Sequence, residues 1–309
     1  MVDLILFGDC KETLKQFPRG SAQMCVTSPP YYGLRDYGGE ANQIGQEETP
    51  EEFVNNLVEV FREVRDVLKD DGVLWLNIGD SYYNYRPGTG GLPKQTVSRT
   101  SQDLPTQCNR RANKLTGLKE KDMIGIPWML AFALRADGWY LRQDIIWHKP
   151  NPMPESVKDR CTKSHEYLFL LSKNKKYYYD NEAIKEPVKQ DWGKRDRTSG
   201  KYHNPGTGLQ PHSGLTKSYE RKNKRDVWTI TNKPYKGAHF AVFPPDLIEP
   251  CILAGSERGD IILDPFMGSG TTGMVAKKHG RNYIGCELHE DYASLQTDRI
   301  DSIPSQLVL

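Results

Sequence analysis

An α/β fold, with a mostly parallel, doubly wound sheet and helices on both faces, is predicted from two features of the sequence. Short apolar runs typical of buried strands alternate with segments of helical periodicity. Two of these runs, residues 24–27 and 261–263, lead into turns rich in proline or glycine. Because parallel strands end at the same edge of a sheet, both turns are expected at one ligand-binding edge.

The N-terminal elements follow from apolar runs and the residues that interrupt them. Gly8-Asp9 ends the first strand. Thr49 and Pro50 predict the start of a long helix, since threonine caps a helix and proline suits its first position, and Asp71-Gly72 is expected to end it. The predicted elements are a strand at 4–7, a helix at 10–19, a strand at 22–27, the helix after Thr49 and a buried strand at 73–78.

The rest of the chain continues the alternation after an irregular stretch at 81–121, which is long enough to be functional or mobile. The run Tyr177-Tyr178-Tyr179 is predicted to pair with the strand before it as a hairpin. The predicted elements are a helix at 127–136, strands at 141–147 and 165–172, a helix at 244–254, a strand at 261–263, a helix from 274 and a strand at 282–286.

The turn Ser28-Pro29-Pro30-Tyr31 offers acceptors and an aromatic ring. Two prolines fix φ and lack N–H groups, so their carbonyls are free to accept hydrogen bonds. A hydroxyl and a flat ring flank them. An exocyclic amine on a nucleobase needs such a set: acceptors for its hydrogens and a ring to stack on its face. The alternative is an ordinary proline-rich turn.

The second turn has the context of a nucleotide-binding loop. Gly268 and Gly270 allow a tight turn between a strand and a helix. The next strand ends in Glu287, and in nucleotide-binding sheets an acidic residue at this position accepts hydrogen bonds from the ribose hydroxyls. A solvated acidic side chain is the alternative. No Gly-Lys-Thr/Ser follows, which excludes an ATPase-type phosphate loop. In the usual sheet this loop comes first, whereas here it comes last.

The charge distribution and the cysteines restrict the partners and the compartment expected for this protein. The net charge of the 309 residues is only +2, but residues 185–236 hold thirteen basic against five acidic side chains. This excess indicates a nucleic-acid surface on one part of the molecule, and a solvated loop is the alternative. Six scattered cysteines without a Cys-x-x-Cys pair indicate free thiols in a reducing cytoplasm, and argue against zinc. Neither a signal sequence nor a membrane-spanning run is expected.

These motifs resemble those of the DNA amino-methyltransferases that use S-adenosylmethionine, in their circularly permuted β arrangement. That family carries (Ser/Asp/Asn)-Pro-Pro-(Tyr/Phe/Trp) near the N-terminus and Phe-x-Gly-x-Gly near the C-terminus. Both are present here, as residues 28–31 and 266–270. The similarity extends over nearly the whole chain. It implies a Rossmann-like class I methyltransferase fold in permuted order, S-adenosylmethionine as cofactor and double-stranded DNA as substrate.

The resemblance also assigns regions and residues. It implies a catalytic part at 1–180, an inserted target-recognition region at 181–238 and a cofactor-binding part at 239–309. The catalytic residues would be Ser28, Pro29, Pro30 and Tyr31. The cofactor-binding residues would be Asp9, Phe240, Asp264, Phe266, Gly268, Gly270, Thr271, Thr272 and Glu287. For Asp264 and the two threonines, capping of the turn and of the next helix is the structural alternative.

Several functions remain open at this stage. Serine at the first motif position resembles the N4-cytosine enzymes, whereas aspartate or asparagine is more typical of N6-adenine enzymes. A C5-cytosine enzyme needs a nucleophilic cysteine, and the only Pro-Cys pair, at Cys251, lies in an apolar helix pattern. A methyltransferase acting on RNA or protein, and a non-catalytic DNA-binding protein, are the other candidates. A cognate restriction endonuclease is a further expectation. The sequence specifies neither the DNA site nor the oligomeric state.

Overall fold

The computed structural model of the protein describes residues 2–33, 35–36, 43–83, 106–107, 115, 117–188, 220–232 and 243–303. Within these ranges the strands are β1 (Leu4–Phe7), β2 (Ala22–Thr27), β3 (Arg35–Asp36), β4 (Leu68–Ile78), β5 (Thr106–Gln107), β6 (Tyr140–His148), β7 (His165–Ser172), β8 (Glu186–Pro187), β9 (Arg221–Lys222), β10 (Val227–Thr229), β11 (Ile261–Asp264) and β12 (Asn282–Glu287). The α-helices are α1 (Cys10–Thr13), α2 (Pro50–Val67), α3 (Ile126–Ala136), α4 (Pro245–Gly255), α5 (Thr271–Lys278) and α6 (Ala293–Asp301). Two 3-10 segments, Leu14–Gln16 and Glu290–Tyr292, adjoin α1 and α6.

One large sheet organises the described residues, with the strand order β1-β12-β11-β2-β4-β7-β6-β10. The strands from β1 to β4 in this order are all parallel. Strand β7 is antiparallel to both β4 and β6, while β10 runs parallel to β6. The predicted mostly parallel α/β fold is therefore confirmed.

Alternate residues of the central strands face two separate layers of helices. Met24 and Trp75 belong to the core that contains α4 and α5. Cys25 and Leu74 belong to the core that contains α2 and α3. This alternation is the two-residue period of a strand, and the central strands are buried on both sides, as in parallel sheets covered by helices.

Helix α2 begins as predicted but ends earlier. Thr49 and Glu52 form a reciprocal capping box in front of it. The helix stops at Val67 and β4 starts at Leu68, so the predicted end at Asp71-Gly72 is wrong. The β2–β4 register shifts here, from Ala22 opposite Leu68 to Met24 opposite Val73. Gly72 therefore marks a bulge inside the strand rather than the end of a helix.

Three other predicted elements differ from the structure. The helix predicted from 274 begins at Thr271. The helix predicted at 10–19 is α1 followed by one 3-10 turn that ends at Gln16. The tyrosines at 177–179 do not form a hairpin with β7. Instead the Tyr178 amide donates to the Asp71 carbonyl, 2.9 Å away, because this segment crosses the bulge in β4. Most of the loop predicted at 81–121 lies outside the described residues.

The described part of the chain holds no helix with both the length and the apolar character needed to cross a membrane. It also holds no group of three or more His, Cys, Asp or Glu side chains arranged to bind a metal.

Replacement of the cap by alanine in Thr49→Ala should lower the free energy of unfolding by about 1 kcal/mol, because the Glu52 amide then loses its side-chain acceptor. The matched Thr49→Ser variant keeps the hydroxyl and should stay close to wild type. Urea denaturation of the three proteins measures the difference. Equal losses in both variants would contradict a capping role.

Candidate active site at the carboxyl edge of the sheet

The carboxylate of Asp264, the last residue of β11, connects the two motif turns. The Thr27 hydroxyl donates to Oδ1 and the Thr272 hydroxyl donates to Oδ2, each at 2.6 Å. The Phe266 amide donates to Oδ1 at 3.0 Å. Thr27 directly precedes the Ser28 turn, and Thr272 lies in the first turn of α5. The prediction that the two turns meet at one edge of the sheet is thus confirmed.

Burial dominates the electrostatics of this carboxylate. Asp264 is 1 % exposed, and its burial raises its pKa from 3.8 to about 6, although the hydrogen bonds from Thr27 and Thr272 oppose the shift. Both oxygens have donors within the protein. The turn-capping alternative is therefore observed, whereas contact with a cofactor amino group stays a prediction.

The glycine turn requires its glycines for conformation and for space. Gly268 and Gly270 have φ angles of 53° and 78°, in the left-handed region that favours glycine. A Cβ on Gly270 would lie 3.3 Å from the Cα of Gln296 in α6. The Gln296 side chain in turn donates to the Gly268 carbonyl at 2.8 Å. Helix α6 therefore packs against the glycine turn and holds it in place through Gln296. Thr271, which follows the turn, is buried.

Glu287 ends β12, the strand beside β11, and Asp9 follows β1, the strand on the other side of β12. Both oxygens of Glu287 accept backbone amides, from Gly268 at 2.8 Å and from His289 at 3.0 Å. The side chain is nearly buried, and burial raises its pKa. The solvated alternative is therefore not what the structure shows. Asp9 follows β1, which pairs with β12, and caps α1 by accepting the Lys11 amide at 2.9 Å.

The Ser28 turn lies next to the glycine turn, because β2 pairs with β11. Pro29 is buried, whereas Ser28 and Pro30 are partly exposed. Tyr31 and Phe266 are partly buried against the same core, so the two turns share one side of the sheet. Phe240, the remaining predicted contact, lies outside the described residues.

Four polar side chains at this edge were missed by the sequence reasoning: Asn77, Asp80, Lys149 and Glu166. Asp80 follows β4 and accepts the amides of Ser81, Gly125 and Ile126, so it caps the start of α3. Asn77 and Glu166 contact the hydroxyl of Tyr31, and Lys149 pairs with Glu166. A charged residue at the start of an apolar strand, such as Glu166, can be noticed in the sequence. The residues that it contacts cannot be predicted from the sequence pattern.

Cysteine chemistry has no support among the described residues of the site. Cys251 is fully buried in α4, and desolvation by burial raises its pKa well above the ordinary thiol value. Burial likewise raises the pKa of Cys25 and, to about 12, that of Cys286. These thiols stay protonated at neutral pH, so none of them is an activated nucleophile. This disfavours the C5-cytosine reading.

Comparison with known proteins identifies the family. The model of a DNA methylase family covering N6- and N4-directed enzymes matches residues 22–298. The chain belongs to this family of amino-directed DNA methyltransferases. The type II methyltransferase M.SmaI of Serratia marcescens is 48% identical, over 96% of this chain and 90% of its own length. M.XycI of Xanthomonas campestris pv. cyanopsidis is 46% identical, over 97% and 88%.

Solved structures support the fold of this methyltransferase. The cytosine-N4-specific PvuII DNA methyltransferase has a TM-score of 0.61 at 19% identity, over 96% of this chain and 88% of that chain. The putative DNA modification methylase TTHA0409 of Thermus thermophilus, in complex with S-adenosyl-L-methionine, has a TM-score of 0.60 at 24% identity, over 99% and 96%. The methyltransferase thus shares their Rossmann-like architecture.

The pH dependence of stability tests the burial of Asp264 in the ligand-free methyltransferase. A carboxyl whose pKa is higher in the folded state binds more protons there, so the free energy of unfolding falls as pH rises through that window. A shift from 3.8 to about 6 corresponds to a fall of about 2–3 kcal/mol between pH 4 and pH 7. Asp264→Asn cannot ionise and should lack this decline.

Urea denaturation at both pH values measures the difference between the two proteins. Asp159→Asn, at an exposed carboxyl whose pKa the Lys121 ammonium lowers, is the control and should keep the wild-type decline. Parallel pH curves for wild type and Asp264→Asn would contradict the assignment.

Proposed function

We propose that this protein is a type II DNA methyltransferase that moves a methyl group from S-adenosylmethionine to the exocyclic N4 of a flipped-out cytosine. One observation carries the proposal: the Asp264 carboxylate holds the Ser28 turn beside the glycine turn. An acceptor site for an amine and a loop suited to a nucleotide-like cofactor are therefore neighbours. Membership in the family and the type II names of its relatives support methyl transfer to an exocyclic amine of DNA, which includes both N4 of cytosine and N6 of adenine.

The residues around the glycine turn fit S-adenosylmethionine. Glu287 is held by two backbone amides, which leaves lone pairs on both oxygens for ribose hydroxyls. Asp9, at the next strand end, suits the adenine side, and Gly268 and Gly270 let the backbone approach closely. Phe240, Asp264, Phe266, Thr271 and Thr272 complete the proposed set. When bound, the cofactor supplies a methyl group on a positively charged sulfur.

The Ser28 turn acts on the amine that receives the methyl group. The nitrogen is a poor nucleophile because its lone pair is delocalised into the base. Hydrogen bonds from its N–H groups to the Ser28 hydroxyl oxygen and the Pro29 carbonyl draw it toward tetrahedral geometry. Pro30 keeps the turn rigid. Positioning and fixed dipoles supply the acceleration, without a covalent enzyme intermediate.

Tyr31 receives the base after it leaves the duplex. Extrusion costs a few kcal/mol of stacking and pairing, and an aromatic ring in the pocket offsets part of that cost. The ring of Tyr31 lies at the sheet edge next to the proposed amine acceptors. Ser28 favours cytosine N4 over adenine N6, which is the second candidate, because serine at this position resembles the N4 enzymes.

The inserted region at 181–238 is the proposed site of target recognition. Its described ends, 181–188 and 220–232, include basic side chains such as Arg221, Lys222 and Arg225. Strand β10, from the described part of this range, pairs with β6 in the main sheet. Phosphate contacts by such residues give an affinity for DNA that falls with salt. A cognate endonuclease that cuts the same site would accompany a type II enzyme.

Nucleoside mass spectrometry decides the methylated base. DNA incubated with the purified protein and S-adenosylmethionine should yield N4-methyl-2′-deoxycytidine after digestion to nucleosides. Ser28→Ala should reduce its amount at least about tenfold, the cost of one hydrogen bond that strengthens in the transition state. N6-methyl-2′-deoxyadenosine alone would move the assignment to the second candidate. No methylated nucleoside, with intact DNA binding, would favour a non-catalytic binding protein.

Binding of S-adenosylmethionine tests the glycine turn. Gly270→Ala forces a side chain into left-handed backbone against Gln296 and should weaken binding at least about tenfold, since strain and displacement of the turn add to more than about 1 kcal/mol. Gly259→Ala is the matched control, because its φ is 87° but nothing lies within 4 Å of the added Cβ. It should lose some stability and keep its affinity. Calorimetric titration measures both, and equal affinities would contradict the assigned turn.

A further inference from the structure

The hydroxyl of Tyr31 is held by a polar cluster at the sheet edge. It donates to Glu166 Oε2 at 2.7 Å, and its oxygen lies 3.3 Å from Asn77 Oδ1. The Asn77 amide donates to the same Glu166 oxygen at 3.3 Å and to the Tyr167 carbonyl at 3.1 Å. The orientation of Asn77 is thereby fixed by the backbone of β7, and that of Tyr31 by a carboxylate.

Neighbouring strands bring the charges of this cluster together. Glu166 in β7 lies opposite Trp147 in β6, and Lys149 follows directly after β6. The Lys149 ammonium pairs with Glu166 Oε1 and lies 4.2 Å from the centre of the Trp147 ring. Each side chain of the ion pair is 16% exposed. The pair is largely desolvated, which strengthens its hydrogen bonds.

The ring of Tyr31 is also confined sterically. A Cβ on Gly79, directly after β4, would lie 2.7 Å from Cε2 of the ring. The ring therefore rests on bare backbone while its hydroxyl is held by a carboxylate. A tyrosine needed only for packing has no use for a charged acceptor, and placing an ion pair at a mostly buried site is costly. The arrangement is explained if the ring has to keep one orientation while a flat group stacks on it.

We propose that Glu166, in its ion pair with Lys149, is a positioning residue. It holds the Tyr31 ring in one orientation, so that the ring forms a rigid platform for the extruded base. This inference rests on the proposed function, in which Tyr31 stacks on that base. Glu166 acts through the phenol hydroxyl and touches neither the base nor the cofactor. Removal of the hydroxyl should therefore cancel the contribution of Glu166.

A double-mutant cycle tests this dependence. Tyr31→Phe and Glu166→Gln should each lower kcat about tenfold, the effect of one charge-assisted hydrogen bond. The kcat of the double variant should lie within about twofold of the kcat of the less active single variant. Asp159→Asn, which removes an exposed ion pair with Lys121, is the control and should leave kcat unchanged. Independent effects, giving a roughly hundredfold loss in the double variant, would overturn the inference, as would an unchanged kcat in Glu166→Gln.

A second readout does not depend on turnover. A duplex with a fluorescent analogue in place of the target base should change its emission on binding wild-type protein, because the analogue leaves the base stack and stacks on Tyr31. The emission with Tyr31→Phe, Glu166→Gln or both should differ from that with wild type, and to the same extent in all three. Equal emission with Glu166→Gln and wild type would overturn the inference. If Glu166→Gln does not fold, Lys149→Met combined with Glu166→Gln removes the pair without leaving a lone ammonium, and enters the same cycle.

The two proposals fail in different ways. Wild-type protein that transfers no methyl group to DNA would remove the proposed function. Active wild-type protein with independent effects at Tyr31 and Glu166 would remove only the positioning role.

Discussion

Three donors converge on the carboxylate of Asp264, and the geometry of the site depends on this cluster. Thr27 belongs to the strand that carries the Ser28 turn, whereas Phe266 and Thr272 belong to the glycine turn and its helix. Adjacent strands lie about 4.8 Å apart, so the cluster sets a short, fixed spacing between the two turns. Group transfer needs its two reactants held at near-contact distance. Its three hydrogen bonds offset only part of the cost of the desolvated carboxylate.

The antiparallel strand β7 gives this edge its second set of polar groups. Parallel strands present their carboxyl ends here, and β7 presents its amino end. Tyr167 lies opposite Ile78, the last residue of β4, so Glu166 and His165, which precede Tyr167, lie just beyond that end. A wholly parallel sheet would place the other end of that strand here. Insertion of one reversed strand thus supplies the acceptor for Tyr31 next to the turn that presents the ring.

Local pattern predicted two central strands with their observed bounds. The predicted strands at 22–27 and 165–172 have the bounds of β2 and β7, because both are apolar runs with polar residues at their ends. The end of α2 was mispredicted because Asp71-Gly72 resembles a helix stop, and only the register against β2 shows that it is a bulge. The two motif turns were predictable from their residue types. The Asn77, Lys149 and Glu166 cluster was not, since it depends on which strands become neighbours.

The pairing of β1 with β12 brings together segments from near the two extremes of the sequence. The Asp3 amide donates to the Tyr283 carbonyl at 2.7 Å, and the strands then run side by side up to Phe7 and Glu287. A polypeptide joined from the end of α6 to the start of β1, and opened instead ahead of α4, would read its glycine turn first and its proline turn second. The contacts at the sheet edge would be the same. The order of the two motifs along the sequence thus depends only on how the strands are connected, and it does not change the chemistry at the edge of the sheet.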